Sequence, residues 1–412
     1  MRSTFKSLRH RNFKIFFVTQ GISFTGTWVQ FTGQTLLVYD LSRSGLNLGL
    51  LTAIQFLPTL LLGPWAGVVI DRCDKRKLML VTGTAMMLCA AVLSALVFTD
   101  HVTVELVYLL AGLLGVANTF DNPARRVLVN DLVPADDIVN AVSLNSTLVT
   151  VARIIGPAIA GLLANTIGTE WGFALNALSF VPVLIGLVRM DWDAMPRRVP
   201  VDREKGQVRA GLRYSWSVDD LRVPLIVMAV VGTLAFNYTT IMPVFADKVL
   251  GGGGGTFTFL MTVMGVGSLV ASLVMARRET IDTAYVVRST VLLAAATVAL
   301  ALTSQPVSSA AAIAVVGYAG IGVLSGGNAV LQVYASPEMR ARVMALFTVV
   351  FLGSTPIGGP IVGYVTQHFG APMGLMVGAV ASGVIAAYGL LFLRRKAQAV
   401  AEPVSPVAAT AA

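Results

Sequence analysis

The stretch Gly67-Val68-Val69-Ile70-Asp71-Arg72-Cys73-Asp74-Lys75-Arg76-Lys77 decides how this chain is built. Two long apolar runs, 46–70 and 78–98, meet across a handful of residues that are nearly all charged. At about 1.5 Å per helical residue, each run is long enough to cross a hydrocarbon core of roughly 30 Å. The charged residues between them then make a tight basic turn at a membrane face. The simplest structure is a hairpin of two spanning helices.

Carried along the chain, the same window predicts spans at 13–39, 46–70, 78–98, 103–122, 142–166 and 171–188. A second set follows at 222–246, 256–276, 285–303, 308–333, 343–367 and 371–393. Composition points the same way. Of 412 residues 55% are hydrophobic and 12% charged, against roughly 25% charged in soluble domains. The expected fold class is an all-α membrane protein with twelve transmembrane helices. A six-helix bundle over 1–188 is followed by a polar linker at 189–221, a second bundle at 222–396 and a disordered tail at 397–412 rich in Ala, Val and Pro.

The halves look like copies of one unit. Pro134 opens a segment leading to Gly156-Pro157-Ala158-Ile159-Ala160-Gly161, and Pro337 opens one leading to Gly359-Pro360-Ile361-Val362-Gly363. Asn165-Thr166-Ile167-Gly168 and Gln367-His368-Phe369-Gly370 then end the corresponding helices. In the linker, Pro196 and Pro200 suit a tether, and Gly211-Leu212-Arg213-Tyr214-Ser215-Trp216 suits a short helix lying on the membrane surface.

Net charge is +9, which could signal nucleic-acid binding, but the basic residues are spread over short loops on one side. Of 30 Lys and Arg, all but Arg43, Arg153 and Lys248 fall on that side of the spans, with Arg125 and Arg126 assigned to a loop there. The asymmetry implies a multi-pass protein of the cell (inner) membrane with both termini in the cytoplasm and no nucleic-acid partner. The apolar run at 13–38 is too long for a signal peptide and lacks a small-residue cleavage pattern, so it is read as a retained first helix. Cys73 falls in a loop and Cys89 in the third span, which gives no basis for a structural disulfide.

The pattern Gly67-x-x-x-Asp71-Arg72-x-x-Lys75-Arg76 at the end of the second span resembles the loop between helices 2 and 3 of major facilitator superfamily transporters. The family's usual glycine after Asp-Arg-x is Asp74 here, as in the enterobactin-exporter and macrolide-efflux branch, and Gly211-Leu212-Arg213-Tyr214 resembles the same branch. The resemblance implies a monomer of two six-helix bundles with the substrate path between them. It also implies a gate at the basic face, in which Asp71, Arg72 and Arg76 meet the start of helix 11 after Arg340-Ala341-Arg342. Gly67, Lys75, Asp121 and Arg125 belong to the same region. The plainer reading is a loop charged for topology alone.

Asp121 stands four residues before Arg125, a spacing that permits an ion pair if the helix continues through Pro123. A static pair and a proton-responsive gate carboxylate are both open readings. Arg153 is the one basic residue deep within a predicted span, so it needs an aqueous or paired setting and is a candidate cavity residue. Asn145, Ser146, Val149 and Arg153 give their helix one polar stripe. The following Gly156-Pro157-x-x-x-Gly161 resembles the antiporter motif of exporters in this superfamily, with helix packing as the alternative.

Gln20, Thr27 and Gln34 recur at intervals of seven in the first span, with Gln30 beside them. Asn237 with Tyr238, and Ser325 with Asn328 and Gln332, make similar polar faces. Such groups are expensive against lipid, so they line a mostly apolar cavity or bond between helices. Five consecutive glycines at 251–255 read as a loop.

Histidine occurs only at His10, His101 and His368, placed in termini or loops, which supports no metal site. No Gly-x-Ser-x-Gly elbow and no Walker lysine are found, so neither an enzyme nor ATP-driven chemistry is expected, and no cofactor. The expected function is secondary active export of amphipathic small molecules such as drugs, macrolides or siderophores by alternating access. Proton antiport is implied by the resemblance. No carboxylate lies at a predicted helix midpoint, so coupling would fall to end-of-helix or gate carboxylates such as Asp40 or Asp121, and facilitated transport without protons is equally open. A lysophospholipid flippase, a metabolite importer and a non-transporting receptor or scaffold are the alternatives.

Overall fold

In hydrocarbon every backbone amide must be paired within its own segment, and the helix is the local structure that does this. The computed structural model describes residues 5–193, 195, 207–278, 280–352 and 355–401, and every regular element among them is helical. The first half holds α1 (Arg11–Ser42), α2 (Gly45–Arg72), α3 (Lys75–Phe98), α4 (Val104–Asp131), α5 (Ile138–Thr166) and α6 (Thr169–Arg189). After α7 (Gln207–Ser217), the seventh span is made by α8 (Asp219–Val230), a π-helical turn at Val231–Ala235, and α9 (Tyr238–Lys248). Then come α10 (Gly253–Ala276), α11 (Thr283–Leu302) and α12 (Pro306–Tyr334). The eleventh span is shared by α13 (Pro337–Leu352) and α14 (Thr355–Phe369), and α15 (Ala371–Ala401) closes the fold.

Among the described residues, eleven helical segments are long and apolar enough to cross a membrane, and α1 is not among them. It has the length of 32 residues, but its glutamines, threonines and serines lower its hydropathy. Those side chains are spent on contacts inside the first half, described below.

The structure differs from the sequence expectation at several boundaries. The fourth helix does not stop near residue 122 but runs through Pro123 to Asp131, so Arg125 and Arg126 lie in a helix and not in a loop. A proline in a membrane helix is tolerated where neighbouring groups compensate for its missing N–H. The glycine run is only partly a loop, because Gly253 already begins α10. Gly251 and Gly253 adopt φ of 65° and 55°, left-handed values that a side chain would strain. The last helix passes residue 396 and ends at Ala401, and residues 402–412 of the expected tail lie outside the described residues. So do 196–206 of the expected tether. His368 sits in the last turn of α14 rather than in a loop.

The basic turn after α2 is short because Asp74 starts the next helix at once. Its Oδ1 accepts from the backbone N–H of Arg76 at 2.8 Å and of Lys77 at 3.3 Å. That is an N-cap, and it gives the departure from glycine at this position a structural purpose.

The two halves meet along α2 with α14 and α5 with α10, the same pairing related by the internal repeat. Both Gly-Pro helices are therefore at the seam. A side chain at Gly49 would run into the Gly359 carbonyl, one at Gly161 into Thr258, and one at Gly265 into Ile154. The seam is sealed further at the face away from the termini. There Tyr39 donates to Asp247 at 2.6 Å, Arg43 lies 3.7 Å from Asp247, and the Gly45 N–H donates to Gln367 at 2.7 Å. Thr52 and Thr240 hydroxyls stand 3.4 Å apart beneath them.

On the basic face the described pairs join helices of one half. Lys6 and His10 reach Asp137 at 2.6 and 2.8 Å, and Lys75 reaches Asp131 at 2.7 Å. In the second half Lys396 reaches Asp220 at 2.6 Å. The short helix α7 docks on α13, where the Tyr214 hydroxyl accepts from the Ser336 N–H at 3.0 Å, while Leu212 and Trp216 stay exposed.

Gly49→Val should part the halves at the sealed face. In a chain with Cys73 and Cys89 replaced by serine, a Thr52→Cys probe should react several-fold faster with a membrane-impermeant thiol reagent when valine is present. Equal rates would show that the close approach of α2 and α14 does not hold that face shut.

Candidate functional site

Helices α1, α3 and α4 enclose a charged cluster. Because α4 continues through Pro123, Asp121 and Arg125 fall on one face one turn apart, and the Arg125 Nε pairs with the Asp121 Oδ2. The other carboxylate oxygen accepts from the Thr82 hydroxyl of α3 at 2.9 Å. Arg125 also donates to the Gln20 side-chain oxygen at 2.5 Å and lies over the Phe24 ring of α1. Asp121 and Gln20 are each 1% exposed and Arg125 is 7% exposed, so the cluster is shut off from water. Buried charges persist only when paired and hydrogen-bonded, and here both conditions are met.

One turn further along α1, Arg153 of α5 lies over Trp28, 5.0 Å from the ring centroid. Its surroundings follow from the faces of α5. Gly156 packs on Trp28 and Leu148 on Gly21 of α1, while Ile154 and Gly161 meet Gly265 and Thr258 of α10. Two exposed sectors remain between these contacts. One is apolar, with Val151, Ile155, Ala158 and Leu162; the other carries Ser143, Ser146 and Arg153, with half-buried Thr150 beside them and exposed Val139 and Val142 toward its basic end. In a bilayer the apolar sector faces lipid, and the polar one faces the space between the halves. Ser146 and Thr150 each return a hydroxyl to the carbonyl four residues back at 2.9 Å, which leaves the guanidinium as the strongest free donor on that surface.

The remaining residues singled out from the sequence are placed as follows. The backbones of Gly67 and Asp71 are helical, and the surroundings of Gly67 and the side chain of Asp71 lie outside what is described. Arg72 is exposed, Lys75 pairs with Asp131, and Arg76 donates to the Val188 carbonyl at 3.2 Å and faces Trp192. In α1, Gln30 is 2% exposed and accepts from Asn176 of α6 at 2.5 Å, Gln34 is buried, and the Thr27 hydroxyl bonds to the Ser23 carbonyl. Gly156, Pro157 and Gly161 are buried in helix contacts. Asn145 is half-buried.

Asn237 stands at the break after the π-helical turn, 1% exposed, with its amide donating to the Thr233 carbonyl at 2.7 Å. The buried Tyr238 shares a hydrogen bond of 3.1 Å with Thr297 of α11. Asn328 is half-buried and Gln332 exposed, and the two side chains bond to each other on α12. Several partners were not foreseen. Trp28, Thr82, Asn176 and Asp247 each complete a contact begun by a residue on another helix, and only fold-level proximity reveals them. A groove of about 440 Å³ between α1 and α6, with Ile22, Thr25 and Leu178 in its wall, carries no charged group.

Asp121→Asn should leave the Arg125 cation buried without its carboxylate. Loss of one partner of a buried pair costs about 3–5 kcal/mol, so the variant should melt well below wild type in detergent, and Asp121→Asn with Arg125→Gln should recover part of the loss. A single variant that melts with wild type would show the pair to be dispensable.

Solved structures share this architecture. A bacterial homologue of the human lysosomal transporter Spinster, in an inward-facing and unoccupied conformation, superposes with a TM-score of 0.73 over 93% of this chain and 97% of that one, at 14% identity. Among curated proteins, the staphyloferrin A transporter of Staphylococcus aureus is 29% identical over 64% of this chain and 66% of that protein. Macrolide efflux protein A of Streptococcus pyogenes is 24% identical over 43% of each chain. The chain thus spans less than two thirds of the length of both relatives. The model of one family matches residues 2–408 throughout, and by it the chain belongs to the transmembrane secretion effectors of the major facilitator superfamily, multi-pass membrane transporters and not enzymes.

Proposed function

We propose that the chain exports amphipathic small molecules, of the kind represented by drugs, macrolides or siderophores, by alternating access in exchange for protons. The observation that carries this reading is the distribution of contacts between the halves. The described hydrogen bonds and ion pairs between them lie toward the face away from the termini, while the polar sector of α5 is exposed in the half of the span nearer the basic face. A cavity reachable from the basic face and closed at the other suits loading from the side that holds the termini. The excess of basic residues places that side in the cytoplasm of a cell membrane, and a monomer suffices for the path.

Among the described residues Asp121, at 1% exposure, is the most deeply buried carboxylate, and Asp71 is the carboxylate of the gate motif. In the proposed cycle Asp71 holds the basic face closed once the far face has opened, through contacts with the start of α13. Asp121 would move a proton only by giving up the pair with Arg125. Relatives named as a staphyloferrin A transporter and a macrolide efflux protein support the class of substrate.

The deciding experiment follows proton movement in inside-out vesicles energised with a pH gradient, as a panel of amphipathic cations, macrolides and siderophores is added. Substrate-dependent collapse of the gradient is expected for wild type and loss of it for Asp71→Asn at equal membrane insertion. No response to any compound, with the protein inserted and folded, would turn the assignment toward lipid flipping or uncoupled transport. Unimpaired exchange by Asp71→Asn would remove the gate role.

A further inference from the structure

Two guanidinium groups stack on successive rings of one face of α1. Arg125 lies over Phe24 and Arg153 over Trp28, one helical turn apart. Their electrostatic situations are opposite. Arg125 is buried and neutralised by Asp121, whereas Arg153 is exposed and has no acidic partner among the described residues. Arg153 comes 15 residues after Ile138, the first residue of α5, and so stands about 22 Å from the basic end of that helix.

A lone cation within a span is tolerated where water or a counter-ion reaches it. The exposed sector between α1 and α10 leaves the guanidinium open to water, and among the described residues no acidic group balances its charge. The neighbouring hydroxyls of Ser146 and Thr150 are committed to their own helix, and Trp28 offers an apolar face with Phe31 at 5.5 Å beyond it. A ligand that fits such a wall presents an anion to the fork of donors and an apolar body to the rings.

We propose that Arg153 is the anion anchor of the cavity, receiving the carboxylate or phosphate of an amphiphilic ligand whose apolar part lies against Trp28. This deepens the transport reading, on which it rests for calling the space a substrate cavity. It predicts discrimination by charge, with anionic amphiphiles preferred and cationic ones of the same length disfavoured.

The test is binding to the purified full chain in a neutral detergent, with no gradient, by calorimetry and tryptophan emission. The probes are dodecanoate, lysophosphatidylglycerol and dodecyltrimethylammonium. Wild type should bind at least one of the anions about tenfold or more tightly than the cation, as expected for one charge-assisted, two-pronged contact. Arg153→Gln should lose that preference. Arg153→Lys should keep part of it, because an ammonium retains the charge without the planar fork. Preference for dodecanoate alone would identify a carboxylate ligand, and preference for the lysolipid a membrane phosphate. Equal binding of anions and cation by wild type would overturn the proposal, as would an undiminished preference in Arg153→Gln. If Arg153→Gln fails to fold, the wild-type and Arg153→Lys comparison still decides. Since no transport is measured, failure of proton-coupled export would leave this result standing, and loss of anion preference would leave export standing.

Discussion

The constraint on which the whole structure turns is the cost of an uncompensated polar group away from water. It makes every described element helical, and it dictates how polar side chains inside the spans are used. Gln20 is held by Arg125, Gln30 by Asn176, Tyr238 by Thr297 and Thr82 by Asp121. Each bond crosses between two helices, and all but the Thr82–Asp121 bond skip at least one intervening helix. The polar character of α1, which keeps its hydropathy low, is thus what ties it to α4 and α6 within the first half.

Between membrane helices there is no hydrophobic force to exploit, so contact depends on shape, and small residues let backbones touch. Gly45 and Gly49 of α2, Gly161 of α5, Gly265 of α10 and Gly359 and Gly363 of α14 sit at the two seams between the halves, where side chains would collide with carbonyls or neighbouring side chains. Such seams are strong when matched and have little grip when displaced. They can seal one face without the covalent or ionic ties that would prevent separation. The ion pair and hydrogen bonds of Arg43, Tyr39 and Asp247 lie at the rim, where water can replace them at modest cost.

Much of this was legible in the sequence because it depends on local pattern. Length and hydropathy specify the spans, and the repeat of Gly156-Pro157 at Gly359-Pro360 marks the equivalent helices. The spacing of Asp121 and Arg125 announces an ion pair conditional on one helix surviving its proline. What was not legible depends on residues brought together by the fold. Gln20 reads as a cavity amide until Arg125, far along the chain, is seen to occupy it. Trp28 is one more aromatic residue in an apolar helix until Arg153 lies over it. Tyr39 and Asp247 are 208 residues apart and carry no shared motif. The fourth helix was underestimated because proline is a helix breaker in water, whereas in a membrane the lack of competing solvent favours continuing the helix.

The contrast between the two arginines bears on how occupancy and closure would be linked. Arg125 brings its counter-charge with it, so its environment can stay dry whichever face is open. Arg153 is acceptable only while the polar sector of α5 remains wet. Closing the halves over an empty cavity would strip water from a guanidinium that has no acidic partner among the described residues, a cost of several kcal/mol. An anion seated on Arg153 would remove that penalty and leave an apolar surface outward, suited to burial. Under the proposed assignment, closure is therefore favoured by the ligand itself, because only the occupied cavity can be dehydrated cheaply. The empty transporter needs some other means of returning, and a carboxylate that alternates between protonated and ionised states is the simplest means the chain contains.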